Sequence, residues 1–245
     1  MTTAFVMDLG GGRTATAVTV TDTGQLPCAM DELGLPHHPA VVVVGGAGGL
    51  DGDDISRLRI LFTSAIVPVM REHGAAGVDG GTDSGVMRLL GQARSAAGAG
   101  FPLLGVVAEG TVQMPGEAPV GETAPLEPNH SHFLLVPGNE WGAESPWIAE
   151  TATVLAGARA SITILINGGQ IAFDDVQRSL DAGRRVIVAA GSGRTADTIA
   201  AAIDGTGSDQ RAAAMAATGL ISAVPCADPA AMAAAVGAAL RGGER

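Results

Sequence analysis

Short runs of apolar residues recur along this chain and predict strands. The runs are continuous rather than alternating, which is typical of strands covered on both faces of a sheet. They are Val41–Val44, Ala76–Asp79, Leu103–Val107, His132–Val136, Ile162–Ile166, Val186–Ala190 and Ile221–Val224.

Between most of these runs, apolar residues recur at helical spacing. One such pattern begins at Ile55 and is closed by Gly74, and Pro68 inside it predicts a kink or a split. Ser145-Pro146 pairs a helix N-cap with a proline at the first helical position. The alternation of strand, glycine turn and helix predicts an α/β fold: a Rossmann-like parallel sheet of about seven strands with helices on both faces.

Two segments depart from this alternation. Residues 1–25 contain two β-prone runs around Gly10-Gly11-Gly12 and predict an appended β-hairpin. Residues 108–130 are rich in proline and glycine and predict a long loop, a kind of segment that is usually functional or mobile. Neither segment resembles a linker, so we expect one domain over residues 1–245.

Composition limits the partners of such a domain. The formal net charge is −11 and there is no lysine-rich run, which argues against a nucleic-acid or anionic-membrane surface. No apolar run approaches the roughly 20 residues that span a bilayer, and the N-terminus has no signal-peptide pattern. With two cysteines, Cys28 and Cys226, the chain fits a reducing compartment. We therefore expect a cytoplasmic protein.

Four glycine-containing turns follow predicted strands. In a parallel sheet all four are expected at the carboxyl edge, where open α/β proteins bind ligands. None has the lysine of a P-loop, and none completes a dinucleotide fingerprint. The turns are Gly45-Gly46-Ala47-Gly48-Gly49, Gly80-Gly81-Thr82-Asp83-Ser84-Gly85, Asn167-Gly168-Gly169-Gln170 and Gly191-Ser192-Gly193-Arg194.

The second turn opens a helical pattern and is stripped of bulk, so backbone N–H groups at a helix N-terminus would be accessible to an anion. Arg194 is the arginine embedded in a glycine turn, and it is either a phosphate contact or a solvated side chain. His37-His38 and His130-x-His132 lack partners at ligand spacing, so we predict no metal site. The loop Val6–Thr14 is similar to the first phosphate loop of sugar kinases, but the chain is short for that fold.

Several motifs resemble, in the same order, the cytosolic N-terminal region of melastatin-type TRP channels. They are HPAVVVVGGAGGL, GVDGGTDSGVMRLLGQA, LEPNHSHFLLV, WGAESPWIAETATVL and ILINGGQIAFDDVQRSLDAGRRVIVAAGSGRTAD, within residues 39–203. That region belongs to the SLOG superfamily, whose free-standing bacterial relatives form the prokaryotic LSDAT group. The resemblance implies a nucleotide-binding Rossmann-like sheet, with ADP-ribose or another NAD derivative as the favoured ligand class.

The resemblance also implies the residues of a ligand site. Gly45 and Gly46 are added from the first glycine turn. The full set is Gly45, Gly46, Gly80, Gly81, Thr82, Ser84, Gly85, Val86, Gly168, Gly169, Gln170, Gly191, Ser192, Gly193 and Arg194. Asn129, His130 and Glu144 lie in the same motifs without an assigned role. Trp141 and Trp147 fall in one short segment, which makes that segment a candidate surface for stacking a base.

The LOG phosphoribohydrolases of the same superfamily provide an alternative function, hydrolysis of an N-glycosidic bond. Their active loop is similar to P-G-G-x-G-T-x-x-E, and Asp175 here takes the place of the catalytic glutamate. Asp174 and Asp175 are either catalytic carboxylates or an acid pair favoured at a helix N-terminus. We predict binding without turnover. An assembly module with a vestigial cleft is the third possible function. By analogy with the LOG proteins alone, we expect a homodimer.

Overall fold

The computed structural model describes residues 2–46, 48, 51–118 and 121–242. Its strands are β1 (Phe5–Gly10), β2 (Arg13–Thr19), β3 (Ala40–Gly45), β4 (Ala76–Asp79), β5 (Leu103–Ala108), β6 (Val112–Gln113), β7 (Ala124–Pro125), β8 (His132–Val136), β9 (Ser161–Ile166), β10 (Arg185–Ala190) and β11 (Ile221–Pro225). Its α-helices are α1 (Leu26–Glu32), α2 (Gly52–Leu61), α3 (Val67–Glu72), α4 (Gly85–Ala96), α5 (Ser145–Ala156), α6 (Gln170–Asp181), α7 (Arg194–Ile203), α8 (Gln210–Ala216) and α9 (Pro229–Arg241).

The main sheet has nine strands in the order β1-β2-β8-β5-β4-β3-β9-β10-β11. Every apolar run identified in the sequence forms a strand of this sheet, and these strands pair in parallel. Along β3, Val42 and Val44 pack into one core cluster and Val41 and Val43 into the other. Both faces of the sheet are therefore covered by helices, and the predicted α/β fold is confirmed.

The N-terminal hairpin forms as predicted, but it also extends the sheet. β1 and β2 pair antiparallel around Gly10–Gly12, where all three glycines have positive φ. β2 then pairs in parallel with β8, so the hairpin adds two strands to the predicted set. Met7 and Ala17 pack against Phe133 in a third core cluster. The hairpin is thus an integral edge of the sheet.

Two irregular segments also follow the sequence pattern. A five-residue π-helical turn, Phe62–Ile66, separates α2 from α3, and Pro68 lies in the first turn of α3. The helical run is interrupted here by a π-helical turn but is not divided, since the backbone keeps right-handed helical angles at both junctions. The loop 108–130 contains the short paired strands β6 and β7, and its Leu126 forms a bridge with Thr82. None of the helices in the described ranges is long and apolar enough to cross a membrane.

Helix α4 carries a glycine against a buried carboxylate. A Cβ atom added to Gly91 would lie 2.0 Å from Oε2 of Glu127, a residue that is 1% exposed. In α9, a Cβ added to Gly237 would meet atoms of Arg241, His73 and Val69 at 3.3 Å or more. Gly91 is therefore required for the packing of Glu127, whereas Gly237 leaves room for a methyl group.

Gly91→Ala is expected to lower the free energy of unfolding by about 1–3 kcal/mol, the usual cost of overpacking a close-packed interior. Gly237→Ala, the matched control, is expected to be neutral or to raise it by about 0.5–1 kcal/mol, since alanine is favoured in helix interiors. Urea denaturation of both variants checks this. Equal stabilities would contradict the assigned contact.

Candidate functional site

A cavity of about 320 Å³ opens at the carboxyl ends of the central strands. It lies at the end of β3, where the chain order reverses: β4 lies on one side of β3 and β9 on the other. Such a switch point is the usual ligand position in open α/β sheets. The lining residues are Val43, Val44, Gly45, Gly46, Gly80, Thr82, Met87, Trp141, Glu144, Ile148, Gly169, Gln170, Ile171, Ala172, Asp175 and Arg194.

All four predicted glycine turns have a residue in or directly beside this cavity. The predicted residues that line it are Gly45, Gly46, Gly80, Thr82, Gly169, Gln170 and Arg194. The other predicted residues are not among the lining residues: Gly81, Ser84, Gly85, Val86, Gly168, Gly191, Ser192 and Gly193. Ala47 and Gly49 of the first turn lie outside the described residues.

Gly81 faces the core instead of the cavity. A Cβ atom there would lie 2.8 Å from Val107, 2.9 Å from Gly105 and 3.0 Å from Phe133. With φ at +64°, the residue also has a backbone conformation that favours glycine. Its glycine is therefore required by the packing of β4 against β5, and a bulky substitution there would disturb the fold before it reached a ligand.

Two helices present backbone N–H groups at the cavity. Met87 lies in the first turn of α4, and Gln170 is the first residue of α6. Both residues line the cavity. Among the described residues, the N–H groups of Met87, Gln170 and Ile171 have no hydrogen-bond acceptor. The N–H of Val86, by contrast, donates to the carbonyl of Gly46 at 3.2 Å. Unpaired N–H groups at helix N-termini form an anion-binding position.

Asn167 ties the third glycine turn to the fourth. Its N–H donates to Oγ of Ser192 at 2.8 Å, and its Nδ2 donates to the Ser192 carbonyl at 2.7 Å. The N–H of Ala196 donates to the Asn167 carbonyl at 2.9 Å. Asn167 has a φ of +58°, which asparagine tolerates better than most residues. Asn167 was not among the predicted site residues, although its position before Gly168 in the third glycine turn could have identified it.

Arg194 opens α7 and lines the cavity. Its guanidinium Nη1 donates to the carbonyl of Gly48 at 3.2 Å, and its Nη2 lies 3.2 Å from the position that a Cβ atom on Gly169 would occupy. The backbone of Arg194 has a positive φ of +51°. A cationic side chain is thereby placed across the cavity mouth, between the first and third glycine turns.

The cavity also contains two carboxyl groups. Burial raises the pKa of Asp175 to about 7, and the nearby charge of Glu144 adds to the shift. Burial likewise raises the pKa of Glu144, which accepts a hydrogen bond from the N–H of Gly142 at 3.0 Å. Asp174 points away, with 67% of its side chain exposed. The two adjacent aspartates therefore occupy different environments.

The lining also includes an apolar surface. Trp141 is 41% exposed and Ile171 is 38% exposed, and both line the cavity. A Cβ atom on Gly142, the neighbour of Trp141, would lie 3.4–3.5 Å from Ile171, so the loop packs on that side chain. Trp141 is the aromatic side chain among the described lining residues. The cavity thus combines N–H donors, a cation, carboxyls and a π surface.

The chain matches known proteins over most of its length. Residues 38–234 match a family model described as "SLOG in TRPM, prokaryote". The chain is 28% identical over 196 residues to the transient receptor potential cation channel subfamily M member 2 of Mus musculus, and 26% identical over 196 residues to that of Rattus norvegicus. Each match covers 65% of this chain and 13% of the channel, so the chain spans only a small part of those relatives.

A solved structure supports the fold assignment. The X-ray structure of TM1055 is 20% identical to this chain and superposes with a TM-score of 0.54, covering 81% of this chain and 98% of that one. At this level of identity the likeness concerns the fold alone. The predicted resemblance to the SLOG superfamily is confirmed by the family match.

The raised pKa of Asp175 makes stability depend on pH. The folded state holds this proton more tightly than the unfolded chain, whose aspartate has its ordinary pKa of 3.8. The free energy of unfolding should therefore fall as the pH rises from about 4 to about 7. Asp175→Asn is expected to gain at least about 1.4 kcal/mol over the parent at pH 8, the equivalent of one pKa unit, and little at pH 4.

Asp174→Asn is the matched control, because it removes the same charge from the neighbouring, exposed position. Urea denaturation at pH 4, 6 and 8 compares the three proteins. If Asp175→Asn follows the parent at every pH, the carboxyl is not held in a desolvated position.

Proposed function

This chain belongs to the SLOG family described as "SLOG in TRPM, prokaryote", and we propose that its cavity binds a nucleotide-type ligand. An NAD-derived compound such as ADP-ribose is the ligand class we favour. The observation that carries this proposal is the convergence, in one cavity, of helix N-termini, Arg194 and Trp141. Such a ligand carries an anionic group and an aromatic ring, and the lining offers a contact of each kind.

The anionic group would bind between α4, α6 and Arg194. A protein with a net charge of −11 repels anions at long range, so a phosphate needs local donors. The N–H groups of Met87, Gln170 and Ile171, which have no acceptor among the described residues, supply neutral donors, and the guanidinium of Arg194 supplies a forked, charge-assisted contact. Together they favour phosphate over an uncharged group.

The base would stack on Trp141. Stacking on an aromatic side chain contributes about 1–3 kcal/mol per base and tolerates any base. The carboxyls of Asp175 and Glu144, in the same lining, could accept hydrogen bonds from ribose hydroxyls, which is a common role of acidic residues in dinucleotide sites. In this proposal the glycine turns and Arg194 hold the phosphates, the carboxyls contact the ribose and Trp141 stacks on the base.

Tryptophan fluorescence tests this placement. The chain has two tryptophans, and Trp147→Phe leaves Trp141 as the remaining one. ADP-ribose at a hundred times its Kd should add ~2.7 kcal/mol and raise Tm by about 5–10 °C. It should also quench Trp141, whereas ribose 5-phosphate should raise Tm without quenching. Absence of any response to either compound would contradict the proposal.

Arg194→Ala is the variant for the anionic end of the same site. It should weaken ADP-ribose binding by about 1.5–3 kcal/mol, the range for a hydrogen bond to a charged group. Arg159→Ala removes the same charge from an exposed turn before β9, at the opposite edge of the sheet. Unchanged affinity in Arg194→Ala would remove that residue from the site.

Hydrolysis of an N-glycosidic bond is the second candidate function, and the protonated carboxyl of Asp175 favours it. With a pKa of about 7, this group could donate a proton to a departing base while water attacks the ribose carbon. An aspartate is one methylene shorter than the glutamate of the LOG loop, and a misplacement of about 1 Å can cost on the order of a hundredfold in rate. Binding therefore remains our first proposal.

We accordingly expect no steady release of base from AMP or NAD at enzymatic rates. Chromatography of overnight reactions checks this. Release that disappears in Asp175→Asn and persists in Asp174→Asn would overturn the expectation and establish the hydrolase. If the protein shows neither binding nor turnover, the assembly module is the reading that remains.

We propose a cytosolic location and a homodimer by analogy with the family. The region of the TRPM channels that this chain resembles is cytosolic, and the LOG proteins pair through helices. Light scattering of the purified protein would give the oligomeric state directly.

A further inference from the structure

A buried cluster of ionisable side chains lies behind the wall of the cavity. Nε2 of His130 is 2.8 Å from Oδ1 of Asp79, and Nδ1 is 2.8 Å from Oε2 of Glu127. All three side chains are at most 1% exposed, and the ring stacks on Phe133. With both carboxylates ionised, both ring nitrogens must carry a proton for the two contacts to be hydrogen bonds. The geometry fits an imidazolium between two carboxylates.

The same cluster holds the backbone of Gly81 at both ends. The N–H of Gly81 donates to Oδ1 of Asp79 at 2.8 Å, the same oxygen that His130 contacts. The carbonyl of Gly81 accepts from the N–H of Glu127 at 2.9 Å. Gly81 lies between Gly80 and Thr82, which line the cavity. The ring and the turn are therefore joined through one carboxylate oxygen.

We propose that His130 is a positioning residue for the cavity: as an imidazolium it fixes Asp79 and Glu127, and these fix the Gly80–Thr82 turn in the form that binds the ligand. This inference rests on the proposed function, whose regulation it describes. Without its second proton, the ring would turn a lone pair toward a carboxylate oxygen at 2.8 Å. One carboxylate would then have to move, and movement of Asp79 would release the N–H of Gly81.

The charges around the ring balance only when His130 is protonated. Asp79 faces it from the end of β4 and Glu127 from the loop before β8. The next cation is Arg94 of α4, whose Nη1 donates to the Asn129 carbonyl at 3.0 Å and whose charge acts on Glu127. Loss of the His130 proton would leave a net negative charge in the interior, which is costly without a partner.

The pKa of His130 sets the pH at which this occurs. Burial by itself lowers the pKa, but the charges of Asp79 and Glu127 and their hydrogen bonds raise it to about 9. The stabilisation is fully present below the ordinary value of 6.5 and is lost as the pH rises through about 9. The chain has no tyrosine and its sequence shows no lysine, so few other side chains titrate between pH 8 and 10. Replacing Cys28 and Cys226 by alanine removes the thiols.

The first experiment titrates ADP-ribose into the cysteine-free protein at pH 7, 8, 9 and 10, with circular dichroism at each pH. The affinity should be constant from pH 7 to 8 and fall at least tenfold by pH 10 while the helical signal persists. Glu127→Gln removes one of the two charges that retain the proton, so its loss of affinity should begin at a lower pH. Constant affinity to pH 10, or an unshifted profile in Glu127→Gln, would overturn the inference.

The second experiment compares His130→Gln with His132→Gln at pH 7. His132 is two residues away and bonds to Ser131, and burial and the charge of Arg94 lower its pKa to about 4, so it is neutral at pH 7. His130→Gln should bind ADP-ribose at least tenfold more weakly, and His132→Gln should bind like the parent. Parental affinity in His130→Gln would overturn the inference. If that variant does not fold, the pH profiles decide.

Nuclear magnetic resonance separates this inference from the proposed function. If ADP-ribose does not bind the parent at any pH, the proposed function fails. The nitrogen shifts of the His130 ring should still report an imidazolium at pH 8, and the Gly81 amide shift should follow the ring titration. A neutral ring at pH 8, or a Gly81 amide that does not respond, would overturn the positioning role.

Discussion

The close approach of backbones at the carboxyl edge of the sheet is the constraint on which the site depends. A Cβ atom at Gly45 would lie 2.0 Å from the carbonyl oxygen of Ile166, where β3 meets β9. A Cβ atom at Gly105 would lie 2.6 Å from the Cα atom of Gly81, where β5 meets β4. Side chains at these positions would push the strands apart. The glycines therefore bring the strand ends together, and the cavity forms above them.

The same edge gives an acidic chain a local concentration of positive charge. Helix N-termini contribute partial positive charge without adding a basic residue. Arg194 adds one full charge at the cavity mouth, while His130 and Arg94 offset buried carboxylates behind the wall. The net charge of −11 and a local anion site are thus compatible.

Much of the fold could be predicted from local patterns. Continuous apolar runs identified the parallel strands because burial on both faces leaves no polar alternation. The hairpin was predicted from its glycines, but its pairing with β8 was not, since β2 and β8 are distant in sequence. Loop 108–130 was predicted as irregular, and the bridge between Leu126 and Thr82 within it depends on contacts between distant residues.

The sequence by itself determined the class of fold, the edge of the sheet that carries the turns, and the SLOG resemblance, because these follow from local composition and motif order. The tertiary structure decided which residues of each turn face the cavity. Asp174 and Asp175 are adjacent in sequence, yet one is exposed and the other desolvated, because the helix turns by about 100° between them. His130 meets Asp79 across 51 positions, and Glu127, which contacts His130, occupies the space left by Gly91. Such contacts follow from packing in three dimensions, which no local pattern encodes.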